Sequence, residues 1–569
     1  MDDQLADPKR QPPERDPRTR LARDLRGHAR ISVLAAVAVL GAFAAGATLR
    51  LWNLGAQVLS GDEFHALFAA LDRPVSQLLF FYQEADNCIP LSIVDRLVLD
   101  HGIALTEWIA RLPVLIAGFA LLLLAPVWAW RRKGMGFAVV YAWLVALSPG
   151  LVFYSRIARS YAPATLFGCA AVAAFEIWHR RGGLAAAAAY IACVVMAVWF
   201  HLGVAPLALS PFLVAALGLG ATRGRGLARL ALLGLATMAA LAALLAPAYR
   251  TLVPILGGKH RELQLPAREV VEVGAWMAGV SSRWVAAAVA LIFVAGLVNL
   301  LRRDRWLGGF ALGAVVVQVA AVLVLAPVAH QVTIVLARYL VFALPCALVP
   351  LAAALGSPWP PRWRVAQPWL AVVALAGLLA CGPFLDPDLA RSSFAHDELY
   401  VRFTEPRPEL GPGGGLTVYE WLSKAAPGAV VELPWDPIFM ADRVLGMYQT
   451  VHRRRVVVSA FSLDSRLAFN NMTLDQPEKI LTARGRWLIV HPAIIREQGR
   501  IGGGPWAATP ELRRPFRRRA LSAAEKFRAR WGPPDYDSEW DSVWDLDRVR
   551  SHLPRPGPVP VPARSVLGK

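Results

Sequence analysis

Charge is scarce in this chain. Of its 569 residues 18% are Asp, Glu, Lys or Arg, while 56% are hydrophobic. An ordinary soluble domain has about a quarter of its residues charged. So much apolar sequence excludes disorder as the main state, because disordered chains lack the apolar surface to bury. Cysteine is scarce too: five residues, an odd number, spread over the whole length. That excludes a secreted disulfide scaffold. The chain has no P-loop, HExxH, CxxC or GxSxG motif, so the signatures of nucleotide, zinc-protease, thiol-redox and serine-hydrolase chemistry are missing. No period of roughly 20–50 residues recurs, which excludes solenoids and propellers. What remains is a polytopic membrane protein, and for one the balance of charge is unusual: 60 Lys and Arg against 41 Asp and Glu, net +19.

A spanning helix needs roughly 20 mostly apolar residues. Apolar runs follow one another at 31–49, 109–130, 135–153, 161–178, 184–202, 204–220, 228–247, 284–301, 307–327, 338–355 and 368–385. Basic residues gather on the cytoplasmic side of membrane proteins. Here they sit in Arg15–Arg30 of the N-terminal tail, and in the turns at Arg131-Arg132-Lys133, Arg180-Arg181, Arg223–Arg229, Arg302–Arg305 and Arg362–Arg364. With a cytoplasmic N-terminus every one of these falls inside. About eleven spans then put the C-terminus outside. The expected location is a bacterial-type plasma membrane. Ile31–Leu49 reads as a retained first helix rather than a cleaved signal.

The expected organisation has four parts. Residues 1–30 form a disordered cytoplasmic tail, and 31–386 a transmembrane module with a large first outer loop, 50–108. Residues 387–553 form an outer domain, and 554–569 a Pro-rich tail. The outer domain reads as α/β, with a helix at Thr417–Lys424 and short strands at Val430–Leu433, Arg455–Ser459, Trp487–Val490 and Val543–Leu546. The fold class is therefore mainly α: a polytopic membrane helix bundle with a C-terminal extracytoplasmic α/β domain.

Several clusters carry candidate chemistry. Asp62-Glu63 lies just after the first span and opens a segment with Phe64, Leu67, Phe68 and Leu71 at helical spacing. Asp62 suits a helix N-cap. It equally suits a base held at headgroup depth by an interfacial helix. Glu84 and Asp86 lie further along the loop, before a helix starting at Ile89-Pro90-Leu91. Oxygen ligands of this kind suit a divalent metal ion, with Asp62 and Glu84 as candidate ligands. Arg156, Arg159 and Tyr161 occupy the outer turn between the third and fourth runs, where positive charge is not expected. They read either as snorkelling side chains or as a site for an outward-facing phosphate, which arginine binds through paired hydrogen bonds. Arg338 at the start of the tenth run and His201 at the end of the fifth have the same two readings. Lys259 and Arg261 form a basic cluster on the acceptor side. The cytoplasmic loops are too short to hold a nucleotide, so no nucleotide cofactor is expected. A reaction here needs a substrate already activated in the membrane.

The arrangement resembles the GT-C glycosyltransferases, specifically the family 39 group of protein O-mannosyltransferases and the lipid A aminoarabinose transferase. The resemblance rests on Leu49-Arg50-Leu51-Trp52-Asn53-Leu54 through Gly61-Asp62-Glu63, on Ala110-Arg111-Leu112-Pro113, and on Leu147-Ser148-Pro149 with Tyr154-Ser155 and Ala158-Arg159-Ser160-Tyr161. It extends to Arg338-Tyr339-Leu340 with Pro345, and to Glu432-Leu433-Pro434. It implies a polyprenyl-phosphate sugar donor, an extracytoplasmic acceptor (lipid, glycan or protein) and inversion at the anomeric carbon. Asp62 then acts as the base or helps hold the metal, with Glu63 beside it. Arg159 and Arg338, assisted by Arg156, His201 and Tyr161, stabilise the leaving phosphate. Two stretches depart from the family. Asn87-Cys88-Ile89-Pro90 stands where many members have His-Pro-Pro, and Arg156-Ile157 where many have Gln-Glu.

The competing reading is a non-enzymatic transporter or envelope-assembly scaffold. Transport calls for polar groups at mid-membrane depth, and Gln318 is the clearest one in the runs. Nucleic acid is not an expected partner. The excess positive charge divides between short turns, which meet anionic headgroups, and outer-domain runs such as Arg453-Arg454-Arg455.

Overall fold

The computed structural model describes residues 17–258 apart from 53, parts of 55–87, 102, 104–106 and 218–225. It also describes 267–357 apart from 281 and 326–337, 366–384 apart from 383, and 417–433, 480–481, 485–490, 524–538 and 541–552. The helices of the membrane part are α1 (Pro17–Leu51), α2 (Ile89–Asp100), α3 (Glu107–Lys133), α4 (Met135–Leu147) and α5 (Pro149–Tyr154). They continue with α6 (Tyr161–Arg181), α7 (Leu184–Phe200), α8 (Ala205–Ala216), α9 (Leu227–Leu245) and α10 (Tyr249–Gly258). Next come α11 (Ala267–Ala278), α12 (Arg283–Arg303), α13 (Arg305–Leu325), α14 (Leu344–Gly356) and α15 (Ala366–Ala380). Among the described residues 7 helices are long and apolar enough to span a bilayer. Four shorter apolar stretches, Met135–Leu147, Leu184–Phe200, Leu202–Ala216 and Ala366–Ala380, occupy the other expected runs. The chain is a multi-pass membrane protein.

Three runs differ from expectation, each for a local reason. The run 135–153 is two helices, because Pro149 pushes Ser148 out of the helical region, to ψ 114°. The run from 338 begins with a helical turn and a 3-10 turn, Val341–Ala343, before α14. The helix α1 starts at Pro17, so residues 17–30 are helical where a disordered tail is expected. Leu21, Ala22 and several arginines are good helix formers, and a long spanning helix supplies the nucleus on which they extend. The helix α2 begins where expected, with Pro90 in its first turn.

The core of the bundle runs through α4, α6, α7, α13 and α14. Phe137, Phe153, Phe175, Tyr190 and Phe342 are all fully buried there. The helix α4 packs on α1, α3 and α14, α6 runs along α7, and α12 lies along α14. Gly296 of α12 allows the last of these pairings, since an added Cβ would overlap the Pro350 carbonyl of α14.

Three basic turns meet at one end of the bundle. Arg132 pairs with Glu176 at 2.8 Å and with Asp304 at 2.7 Å, and Lys133 also reaches Asp304 at 2.7 Å. Arg180 pairs with Glu176 at 3.2 Å. The His179 ring stacks on Trp306 with centroids 4.5 Å apart. The ends of α3 and α6 and the α12–α13 turn are thus one face, as the alternation of basic loops requires. Burial raises the pKa of Asp304. The hydrogen bonds from Lys133 and the Leu307 amide, with the charges of Arg132 and Lys133, outweigh it and hold the carboxyl below its usual value.

Near the C-terminus β1 (Val430–Leu433), β2 (Trp487–Val490), β3 (Tyr536–Asp537) and β4 (Ser542–Asp545) form a sheet in the order β1-β2-β4-β3. Only the β1–β2 pair is parallel. All four residues of β2 are buried, as a strand covered on both faces requires. One face packs Leu488 and Trp544 on Phe527 and Trp531. The other packs Ile489 and Val543 on Val418 and Leu422 of α16 (Thr417–Lys424). The helix and the strands β1 and β2 fall where the sequence pattern places them, and β4 is shifted by one residue. The expected strand at Arg455–Ser459 lies outside the described residues.

Candidate active site

The end of the bundle opposite the basic turns is built on buried arginines. The last carbonyls of a helix have no donors of their own. At the end of α1, Arg156 supplies them: Nη1 donates to the Leu49 carbonyl and Nη2 to that of Trp52, both at 2.6 Å. Arg50, which is fully buried, serves α4 in the same way. Its Nη1 donates to Gly46 at 2.9 Å and Ala146 at 3.4 Å, and its Nη2 to Val145 at 3.5 Å. The last two carbonyls are left over by the break at Ser148–Pro149.

Arg111 of α3 holds Glu63 through a two-pronged pair. Its Nε and Nη2 donate to the two carboxylate oxygens at 2.9 Å each. Its Nη1 donates to the Leu54 carbonyl at 2.7 Å, and the Ala158 amide adds a third donor to Glu63 at 2.7 Å. Glu63 is 1% exposed and Arg111 2%. This contact fastens the first loop, α3 and the α5–α6 turn together. Glu63 is therefore a structural tie, with both oxygens engaged by protein donors. Asp62, Glu84, Asp86, Lys259 and Arg261 lie outside the described residues.

From Ala158 a chain of contacts leads across the end of the bundle. The buried Arg159 guanidinium lies 5.8 Å from the centre of the Tyr161 ring. Tyr161 packs on His201 at 5.0 Å and Phe342 at 5.7 Å. His201 meets Tyr339 at 5.8 Å, and Arg338 lies 5.3 Å from that ring. Arg156, Arg159, Tyr161, His201 and Arg338 thus gather at one end although the α5–α6 turn, the start of α6, the end of α7 and the turn before α14 bring them there. His201 sits just past α7, where its Nδ1 accepts the Gly203 amide at 3.0 Å. In the neutral ring that leaves Nε2 as the protonated, donating nitrogen.

The electrostatics follow from burial. Desolvation first, then the charges of Arg111 and Arg50, pulls the Arg156 guanidinium down to about 9. Desolvated guanidinia at this density favour an anion. Asp95 of α2 is a buried acid at 4% exposure, and loss of solvent pushes its carboxyl up to about 8. Beside this end lies an apolar cavity of about 220 Å³ between α4, α11, α12 and α14, lined by Leu144, Pro149, Phe293, Leu344 and Leu348 among others.

Sequence reasoning left Arg50 and Arg111 out of the site. The signal for Arg50 was available: a basic residue at the far end of an apolar run whose other end already carries the basic cluster. Among the described residues no three His, Cys, Asp or Glu side chains gather as a metal site. The one acid described at the centre, Glu63, is taken by Arg111. The described residues do not fit a divalent ion, and no step is assigned to one.

No family model matches the chain, and no curated protein does. Among solved structures it is similar to ArnT from Cupriavidus metallidurans in the apo state, at 16% identity and a TM-score of 0.43 over 79% of this chain and 80% of that one. ArnT bound to undecaprenyl phosphate gives the same values. It is also similar to the apo oligosaccharyltransferase of Archaeoglobus fulgidus, at 12% identity and a TM-score of 0.43 over 83% of this chain and 72% of that one.

Proposed function

We propose that this chain is a membrane glycosyltransferase of the GT-C type. It moves a sugar from a polyprenyl-phosphate donor to an acceptor hydroxyl on the extracytoplasmic side. The observation that carries this reading is the gathering of Arg156, Arg159, Tyr161, His201 and Arg338 at one end of an apolar bundle, with Glu63 held against the same α5–α6 turn.

The chemistry divides among these groups. Asp62 takes the proton of the acceptor hydroxyl as the oxygen attacks the anomeric carbon. The bond to the donor phosphate breaks on the opposite face, so configuration inverts. Negative charge grows on the leaving phosphate, and fixed cations there lower the barrier most. Arg159 and Arg338 supply them, and His201 adds a hydrogen bond from Nε2. Glu63, the sequence neighbour of Asp62, is clamped by Arg111. The apolar cavity suits an isoprenoid chain, whose transfer from water is favourable in proportion to the area buried. The end that carries the arginines then faces outward, and the basic turns face the cytoplasm.

The test is transfer of label from polyprenyl-phosphate sugars in membranes containing the wild-type chain, its Asp62→Ala variant, or neither. Transfer by wild type with loss in Asp62→Ala is the expected result. Full transfer by Asp62→Ala removes the base assignment, and no transfer from any such donor removes the reading.

A further inference from the structure

Gln318 lies in the middle of an otherwise apolar helix, α13, and is 1% exposed. A lone glutamine in an apolar run reads as a transport-pathway group. The structure gives it other work. Its Nε2 donates to the Gly203 carbonyl at 2.8 Å and to the Tyr339 carbonyl at 2.9 Å. Its Oε1 accepts the Leu207 amide at 3.1 Å.

These three backbone groups belong to two breaks in the helical bundle. Gly203 lies in the 3-10 turn between α7 and α8, and Leu207 is in the first turn of α8. Tyr339 lies in the turn that precedes the 3-10 segment Val341–Ala343. In an apolar medium every backbone group at such a break needs a partner within the protein. The amide of one side chain has two donors and an acceptor, and here all are spent on the two breaks. The breaks also carry site residues: His201 is two residues before Gly203, and Arg338 is the neighbour of Tyr339.

We propose that Gln318 is a positioning residue that holds His201 and Arg338 in register across the site. The consequence for substrate rests on the glycosyltransferase reading above; the tie itself does not. Gln318→Met keeps the volume of the side chain and removes all three hydrogen bonds. Gln318→Glu keeps the acceptor for Leu207 and, when protonated, one donor. Both belong in the full chain in lipid nanodiscs, with two readouts: hydrogen exchange of the 200–207 and 338–343 segments, and binding of undecaprenyl phosphate.

In Gln318→Met, exchange is expected to rise in both segments together by about tenfold or more, the scale on which a lost buried hydrogen bond acts. Exchange in α6 and α12 stays as in wild type, and undecaprenyl phosphate binds about tenfold more weakly. Gln318→Glu falls between the two, and it decides the matter if Gln318→Met does not fold. Unchanged exchange in either segment overturns the proposal, as does released exchange with unaltered binding. If wild type binds no undecaprenyl phosphate while exchange is released in Gln318→Met, the tie stands and the glycosyltransferase reading fails.

Discussion

Glu63 and Arg111 are both almost fully buried and satisfy each other, which sets the cost of separating them. Removing one partner of a buried pair leaves an uncompensated charge and costs about 3–5 kcal/mol. Glu63→Gln is therefore expected to lower the melting temperature steeply. Glu63→Gln combined with Arg111→Met is expected to cost less than the sum of the two single changes; thermal unfolding in detergent measures all three, and simple additivity refutes the pairing. Asp95 behaves oppositely. Its folded value of about 8 lies above its ordinary 3.8, so the folded chain holds a proton that the unfolded chain releases. Its contribution to stability is present at acid pH and is lost as pH rises between these values, by at most about 1.4 kcal/mol per pH unit. The nearest charges on its own helix, Arg96 and Asp100, pair with each other at 2.7 Å. Asp95→Asn is expected to stabilise the chain more at pH 8 than at pH 5, and a melting difference independent of pH refutes this. For the chemistry itself, Arg159→Gln and Arg338→Gln are each expected to lower turnover by about 10²–10³-fold, the effect of losing one donor to a developing anion. A rise in KM alone, with turnover intact, takes away their role in the leaving step.

Among the elements, breaks matter more than spans. The uninterrupted helices follow from apolar length. The discontinuities at Ser148–Pro149, after Phe200 and before Leu344 carry the site, because a break frees backbone groups that arginine and glutamine side chains then satisfy. Close packing elsewhere keeps these breaks in place. Gly296 is where α12 passes the Pro350 carbonyl, and Gly296→Ala forces the two helices apart. The expected cost is about 1–3 kcal/mol, typical of an overpacked contact, read as a lower melting temperature. A neutral result means that the α12–α14 crossing relaxes freely.

For the whole molecule, the described basic residues of the helical bundle fall into two populations. One sits in turns that meet through Arg132, Lys133, Glu176 and Asp304 at one end of the bundle. The other is buried at the opposite end. Orientation decides which faces the cytoplasm. A cysteine placed at Gly182, in the turn after α6, is expected to react with an impermeant maleimide only from the cytoplasmic side of spheroplasts. One at Ser551, beyond the sheet, is expected to react from outside. The reverse pattern inverts the topology and removes the proposed outward-facing reaction.

The sequence by itself determined where the apolar helices lie, which three basic turns share one end, the helix at Thr417–Lys424 and two strands of the sheet. These follow from apolar length, charge placement and residue periodicity, which are local quantities. It also marked Arg156, Arg159, Tyr161, His201 and Arg338 one by one, as charged or polar residues near the ends of runs. Only the tertiary structure decided that they meet, that Glu63 belongs to Arg111, that Arg156 caps α1 and that Gln318 joins two breaks. The hydrogen bonds behind these facts join partners 21 to 115 residues apart in sequence. Which buried donor finds which orphaned carbonyl is settled by how the helices pack, and no local pattern encodes that.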